Sequence, residues 1–186
     1  MDNMRRQSRQ RAKQLIAAGI LMILVTLVSA GYAQHQVQGE EMTTTEKNKA
    51  LARRWSEELW SRGNLAVADE IIAADYVRHD PGDPFPAHGP NDVKRIVTML
   101  RTMLPDFHIE VEAIIAEADI VVSRYTATAT DTNGYMGQPA TGKTIRTTAM
   151  QMFRVANGKI VESWAVRDDL GTLRQLGHLP ATTPAR

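Results

Sequence analysis

The sequence predicts an α+β fold in which a curved antiparallel β-sheet packs against N-terminal helices. Three observations predict it. Apolar residues recur at helical spacing between Thr44 and Leu104, ahead of the strand-like runs. From Phe107 to Val166 the chain instead alternates apolar and polar residues and is dense in β-branched side chains. Within that half, Asn157-Gly158 separates two alternating runs and marks a two-residue hairpin. Helices first and a meander of strands after them is the order of an α+β domain.

The first predicted helix starts at Thr44, where Thr44 and Thr45 offer capping hydroxyls and Glu46 adds negative charge to the first turn. Leu51, Trp55 and Leu59 fall four apart on one face, and Arg62-Gly63-Asn64 ends the element. A shorter helix covers Leu65 to Ala73 and buries Val67, Ile71 and Ile72. The segment YVRHDPGDPFPAHGP, Tyr76 to Pro90, carries prolines at 81, 84, 86 and 90, so irregular chain is expected there. A third helix runs from Asn91 with Val93, Ile96, Val97, Leu100 and Leu104 on one stripe, and Pro105 stops it. Strands are expected at FHIEVEAII, at Ile120 to Thr132, at Lys143 to Ala156 and at KIVESWAV, with a short helix in DDLGTLRQLG.

The N-terminus points to export. Arg5, Arg6, Arg9, Arg11 and Lys13 precede an uncharged run from Leu15 to Ala30, and Gly31 and Ala33 supply the small residues of a cleavage site. Residues 1–33 therefore read as a signal peptide, and the protein as periplasmic or secreted. An uncleaved membrane anchor is the alternative, although the run falls short of the ~20 residues of a typical span. Residues 34–43 read as a flexible tether, 44–179 as one domain and 180–186 as a disordered tail. The chain has 22 basic and 21 acidic residues; five of the bases and one acid lie in the first 13 positions, so the remainder is mildly acidic. That balance excludes the basic footprint of a nucleic-acid binder. The absence of Cys excludes disulfides and thiolate metal sites.

One motif matches by letter and fails by context. GQPATGKT, Gly137 to Thr144, fits the phosphate-loop pattern G-x-x-x-x-G-K-[ST]. Such a loop joins a buried parallel strand to a helix whose N-terminus faces the phosphate. Here TIRTTAMQMF follows, with Ile145, Thr147, Ala149, Gln151 and Phe153 on one strand face. The expectation is a turn between strands, with no nucleotide bound.

Among the polar residues, His79 and His88 flank the proline segment and offer imidazoles for acid/base work. A loop His that hydrogen-bonds backbone is the competing reading, and the sequence leaves both open. Two His and Asp80 without a fixed spacing do not make a metal site, so no metal is expected. Arg124 shares a strand face with Thr126 and Thr128; inward it needs an anionic partner or ligand, outward it is an ordinary solvated Arg. Trp55, Trp60 and Trp164 read as core or interface residues.

The segments NKALARRWSEELWSRGNLAVADEIIAADYVRHDPG, HGP, MGQPATGK, FRVANGKIVESW and LGTLRQLG, in this order, resemble the SnoaL-like polyketide cyclase family over roughly Thr44 to Leu179. The resemblance implies a nuclear-transport-factor-2-like cone: a curved antiparallel sheet and helices closing a hydrophobic pocket, dimerised through the sheet. It also implies a cofactor-free intramolecular aldol reaction, run by an Asp on the strand after the hairpin and a His on the strand before. Those positions fall on Ala165 and Gln151, neither of which transfers a proton. The expected function is therefore binding of a small hydrophobic polyketide-, ester- or steroid-like molecule, with Tyr76, Arg124, Gln151 and Ala165 as ligand-binding positions. The alternatives are an acid/base enzyme using His79, His88 or Asp168, and a non-catalytic dimeric interaction module. Asp168 also reads as the N-cap of the last helix.

Overall fold

The computed structural model describes residues 42–180. The expected signal segment 1–33 lies outside the described residues, as do most of the tether 34–43 and most of the tail 180–186. Helix α1 spans Thr44–Arg54. Its cap is Thr43, one residue ahead of the expected Thr44, and the Thr43 hydroxyl accepts from the Glu46 N–H at 3.2 Å. From Trp55 to Ser61 the helix continues with π geometry. The wider winding brings residues five apart toward one side, so Trp55 and Trp60 both turn inward with ring centroids 5.9 Å apart. Arg101 seals this stretch: its Nη1 donates to the carbonyls of Trp60, Ser61 and Phe107 at 3.2, 2.6 and 3.2 Å.

Helix α2, Ala66–Ile71, is shorter than expected because Ile72 and Ala73 leave it to open strand β1, Ile72–His79. The proline segment is thus not irregular from its start. Regular pairing runs up to His79, before the first proline, and resumes in the short β2, Ala87–His88. Helix α3 covers Gly89–Met103. Strands β3 (His108–Glu117), β4 (Ile120–Thr130), β5 (Thr144–Ala156) and β6 (Lys159–Arg167) follow, then α4, Asp169–Leu176.

The six strands form one curved, unclosed sheet in the order β2-β1-β6-β5-β4-β3. The meander β3 to β6 is antiparallel as expected. The unforeseen β1 pairs with β6 in parallel, which corrects the simple helices-then-meander order. Register shifts at Ile72/Val77, Val111/Ala113 and Arg154/Val155 bend the sheet around its inner face. At the β5–β6 turn Asn157 and Gly158 both take positive φ, 51° and 73°, as a primed hairpin turn requires.

Inner-face side chains meet the helices in one core. Trp55, Leu59, Ile71, Val93 and Val97 pack from the helical side against Tyr76, Val121, Phe153 and Ile160 of the sheet. On β5, Ile145, Thr147, Ala149, Gln151 and Phe153 are all buried, as their alternation predicts. The phosphate-loop letters lie in the connection from β4 to β5, and Thr144 opens a strand rather than a helix. Lys143 Nζ donates to the Leu176 carbonyl at 2.9 Å, placing a cation at the C-terminal end of α4 where the helix dipole favours it.

Candidate functional site

The helices do not fill the concave face completely. Between them lies a cavity of about 490 Å³. Trp55, Trp60, Ile96, Leu100, Ala127 and Ala149 supply apolar wall, and Met99 and Met136, each partly exposed, also line it. Polar side chains enter the lining at Arg78, Asp83, Tyr125, Thr128, Tyr135, Thr147, Gln151 and Arg167. An apolar cavity with a few fixed polar groups is the usual form of a small-molecule site.

Several of these polar groups form one network. Arg78 is buried on β1, with Nε bonded to Asp83 Oδ2 and Nη2 to Asp80 Oδ2, both at 2.7 Å. Its guanidinium carbon sits 5.2 and 5.7 Å from the ring centroids of Trp60 and Trp55, a stacked cation over aromatic walls. Arg167, the last residue of β6, reaches Asp80 Oδ2 at 2.8 Å and Asp169 Oδ1 at 3.3 Å. The Tyr135 hydroxyl donates to Asp169 Oδ1 at 3.0 Å. Burial opposes the charge of both arginines, yet Tyr76, Asp83 and Asp80 around Arg78, and Asp80 and Asp169 around Arg167, keep both pKa values above the ordinary one. Burial first, and then the Asp169 charge, pushes the Tyr135 phenol up, so it stays a donor. A Cβ at Gly82 would stand 1.9 Å from Arg167 Nη2, so any larger residue there must displace the guanidinium.

Tyr125 stands apart from this network. It is 7% exposed, lines the cavity, and its hydroxyl has no hydrogen-bond partner among the described residues. Burial raises its pKa, with Arg78 and Arg167 opposing, so a protonated phenol faces the space.

The residues singled out in the sequence divide between the two faces of the sheet. Gln151 lines the cavity, and its Nε2 reaches Ser163 Oγ at a long 3.4 Å. Tyr76 is fully buried behind it and shares a 2.5 Å hydrogen bond with Ser163 Oγ. Ala165 pairs in register with Gln151 and borders an adjoining groove that shares Arg78, Pro81, Asp83 and Pro84 with the cavity. Arg124 is on the outer face, half exposed and paired with Glu112, so it does not line the cavity. His79 is also outward, stacked on Trp164 at 5.3 Å and bonded to Glu162 at 2.9 Å. His88 is exposed at the start of α3, its N–H donating to Asp92. Asp168 caps α4 by accepting from the Gly171 N–H at 2.8 Å. None of His79, His88 and Asp168 lines the cavity.

Strand parity explains these placements. His79 lies one residue beyond inward-facing Arg78, and Arg124 one residue before inward-facing Tyr125. Arg78 escaped the sequence reading because its segment was read as irregular, so no parity was applied; Asp83 lies in the irregular chain between β1 and β2, where parity gives no signal. Among the described residues, His, Asp and Glu nowhere gather in threes suited to a metal ion.

Known proteins resemble the chain over this same region. Residues 50–176 match the SnoaL-like polyketide cyclase family. IdmH, a candidate polyketide cyclase from Streptomyces antibioticus, is 30% identical, with a TM-score of 0.62 over 70% of this chain and 98% of its own. A candidate polyketide cyclase from Acidithiobacillus ferrooxidans is also 30% identical, with a TM-score of 0.66 over 75% of this chain and 100% of its own. AclR, a candidate hydroxylase from Streptomyces galilaeus, is 28% identical, with a TM-score of 0.66 over 76% and 91%. No curated protein matches the chain. The fold is the nuclear-transport-factor-2-like one, and the chain belongs to the SnoaL-like polyketide cyclase family.

Proposed function

We propose that the protein binds a small, largely apolar molecule bearing a carbonyl or hydroxyl oxygen, of polyketide, ester or steroid type. The observation that carries this reading is the 490 Å³ apolar cavity into which Tyr125 presents an unpartnered phenol. A phenol that has no partner among the described residues and opens on the cavity is placed to donate to a ligand oxygen. Gln151 adds a second donor, because its bond to Ser163 is long. The positions that the family resemblance assigns to a proton-transferring His and Asp hold Gln151 and Ala165, so aldol cyclisation by that pair is not part of the proposal.

The chain is further proposed to act outside the cytoplasm, led there by residues 1–33. It is also proposed to pair with a second copy through the outer face of the sheet. Met150 and Val166 stand opposite each other there in register, 53% and 75% exposed. Side chains so apolar and so open suit an interface between copies.

Native mass spectrometry of the full chain purified from its own envelope fraction tests the binding reading. The expected result is a small-molecule adduct that competes with Nile red for the cavity. Ala149→Phe, which fills the cavity, is expected to lose both. Nile red binding unchanged by Ala149→Phe, together with no adduct, sinks the proposal.

A further inference from the structure

The apolar lining of the cavity is not uniform in chemistry. Ile96, Leu104, Ile109 and Ile145 supply buried aliphatic wall. Where the lining reaches solvent it turns to thioethers. Met99, Met103 and Met136 line the cavity, and Met99 and Met136 are 43% and 45% exposed, so each meets both the cavity and solvent. Six methionines lie among the described residues, and half of them gather at this one rim. Of the others, Met150 and Met152 alternate to the outer face of β5, and Met42 precedes α1.

Two elements set this rim. Met99 and Met103 are four apart on α3 and share one of its faces. Met136 lies in the connection from β4 to β5, which is tied to the end of that helix. There the Asn133 N–H donates to the Met103 carbonyl at 3.2 Å, and Asn133 Nδ2 to the Thr102 carbonyl at 2.7 Å. Tyr135, the preceding residue, is anchored by its bond to Asp169. Met136 itself takes φ 50°, a left-handed conformation uncommon for a residue with a side chain. The turn thus keeps a thioether at the rim against a local backbone preference.

Leucine would serve as apolar wall equally well. Methionine differs in its flexibility and in a sulfur that peroxides oxidise. The product sulfoxide is polar, and set against an apolar ligand it gives up water without gaining a partner. We propose that Met99 and Met136 are a modification site that controls occupancy of the cavity: a hydroperoxide converts both to sulfoxides, and an apolar ligand is then expelled. The inference rests on the reading of the cavity as a small-molecule site and adds a control to it. The sulfur lone pair forms an S–O bond as the O–O bond of the peroxide breaks. Sulfur loses two electrons and the peroxide gains them. The proton on the transferred oxygen passes to the departing oxygen, which leaves as water when the oxidant is hydrogen peroxide. A dithiol reverses the change through a sulfoxide reductase, becoming a disulfide and releasing water.

Dilute hydrogen peroxide on the full chain tests this, with peptide mass spectrometry locating each added oxygen and Nile red titration reading the cavity. As Met99 and Met136 gain oxygen, Kd for Nile red is expected to rise about tenfold, with far-UV circular dichroism unchanged. Dithiothreitol with methionine sulfoxide reductases for both epimers restores the affinity. The double variant Met99→Leu, Met136→Leu keeps its own starting affinity to within about twofold after the same treatment. Met42→Leu, exposed and off the cavity, loses affinity as the wild type does. Saturating Nile red slows oxygen uptake at Met99 and Met136 and leaves Met42 unaffected.

A wild type oxidised at both residues that still binds Nile red as before overturns the inference and leaves the binding reading standing. So does an equal loss in the double variant, a loss that comes with unfolding, or oxygen at Met42 with none at Met99 and Met136. Failure of the untreated wild type to bind Nile red removes the binding reading, and the inference with it. Should the double variant not fold, the wild-type time course decides: a loss that follows oxygen at Met42 or Met150 rather than at Met99 and Met136 overturns the assignment.

Discussion

Arg78→Met tests the idea that the polar end of the cavity is held by a buried guanidinium that binds two carboxylates through Nε and Nη2. The side chain is 3% exposed and bonds Asp80 and Asp83, each at 2.7 Å. Breaking one side of a buried ion pair costs about 3–5 kcal/mol. Loss of the stack on Trp55 and Trp60 adds roughly 1–2 kcal/mol. The buried Met returns about 1.5–3 kcal/mol of apolar burial. The expected net loss is about 3 kcal/mol, which at a urea slope of ~2 kcal/mol/M lowers the midpoint by about 1.5 M.

The loss also depends on pH, and its sign is fixed. Asp83 has a folded-state pKa raised chiefly by burial, so the folded chain holds that proton more tightly than the unfolded one. Stability from this group is present at low pH and disappears as pH rises through the folded pKa. Removing Arg78 takes away the opposing influence and raises that pKa further. Arg78→Met therefore loses less stability at about pH 5 than at about pH 8. Urea unfolding followed by Trp fluorescence at both pH values measures this. A loss below about 1 kcal/mol, or an equal loss at both, would refute the reasoning.

Two other substitutions probe the elements that frame the site. Gly82→Ala places a Cβ 1.9 Å from Arg167 Nη2 and 3.0 Å from Asp169 Oδ2, so the guanidinium must leave its carboxylates. About 2 kcal/mol of stability is expected to go, as a lowered urea midpoint, and an unchanged midpoint contradicts the packing. Arg101→Ala removes the donors to four carbonyls, those of Trp60, Ser61, Pro105 and Phe107, at an expected cost of about 2–3 kcal/mol. Arg101→Lys should recover less than half of that loss, since an ammonium does not reproduce a planar fork. Equal thermal midpoints for the two variants would argue against a guanidinium-specific role.

Where the fold rests on local pattern, the sequence showed it plainly. The β5 face from Ile145 to Phe153 and the Asn157-Gly158 turn follow from period-two alternation and from the backbone freedom of two residues. The same strand pattern showed that the phosphate-loop letters lead into a strand rather than a helix. What stayed hidden rests on distant partners. Strand β1 is defined by parallel pairing with β6, more than eighty positions away, and the prolines that follow masked its short alternation. The π stretch is hidden for a related reason: Trp55 and Leu59 fit an ordinary helix, and only the burial of Trp60 betrays the wider turn. The candidate site inherited both gaps. Gln151 was found through the family resemblance and the pattern of its strand. Arg78 was missed because its strand was, and Asp83 because it lies in the irregular chain between β1 and β2.

The β1–β6 pairing also sets an order of assembly. Arg78, Tyr135 and Arg167 come from segments far apart in the chain, and their network closes only when β1 docks beside β6. Contacts of long sequence separation carry a loop-closure cost before they stabilise anything. The hairpins of β3 to β6 therefore organise first on refolding, and the charged end of the cavity closes last and opens first. In kinetic terms Arg167→Met should speed unfolding while leaving the refolding rate within about twofold of wild type; a matching slowdown in refolding would place the network in the nucleus instead. The polar end of the cavity is then a labile part of the molecule, able to unlatch while the sheet behind it stays folded.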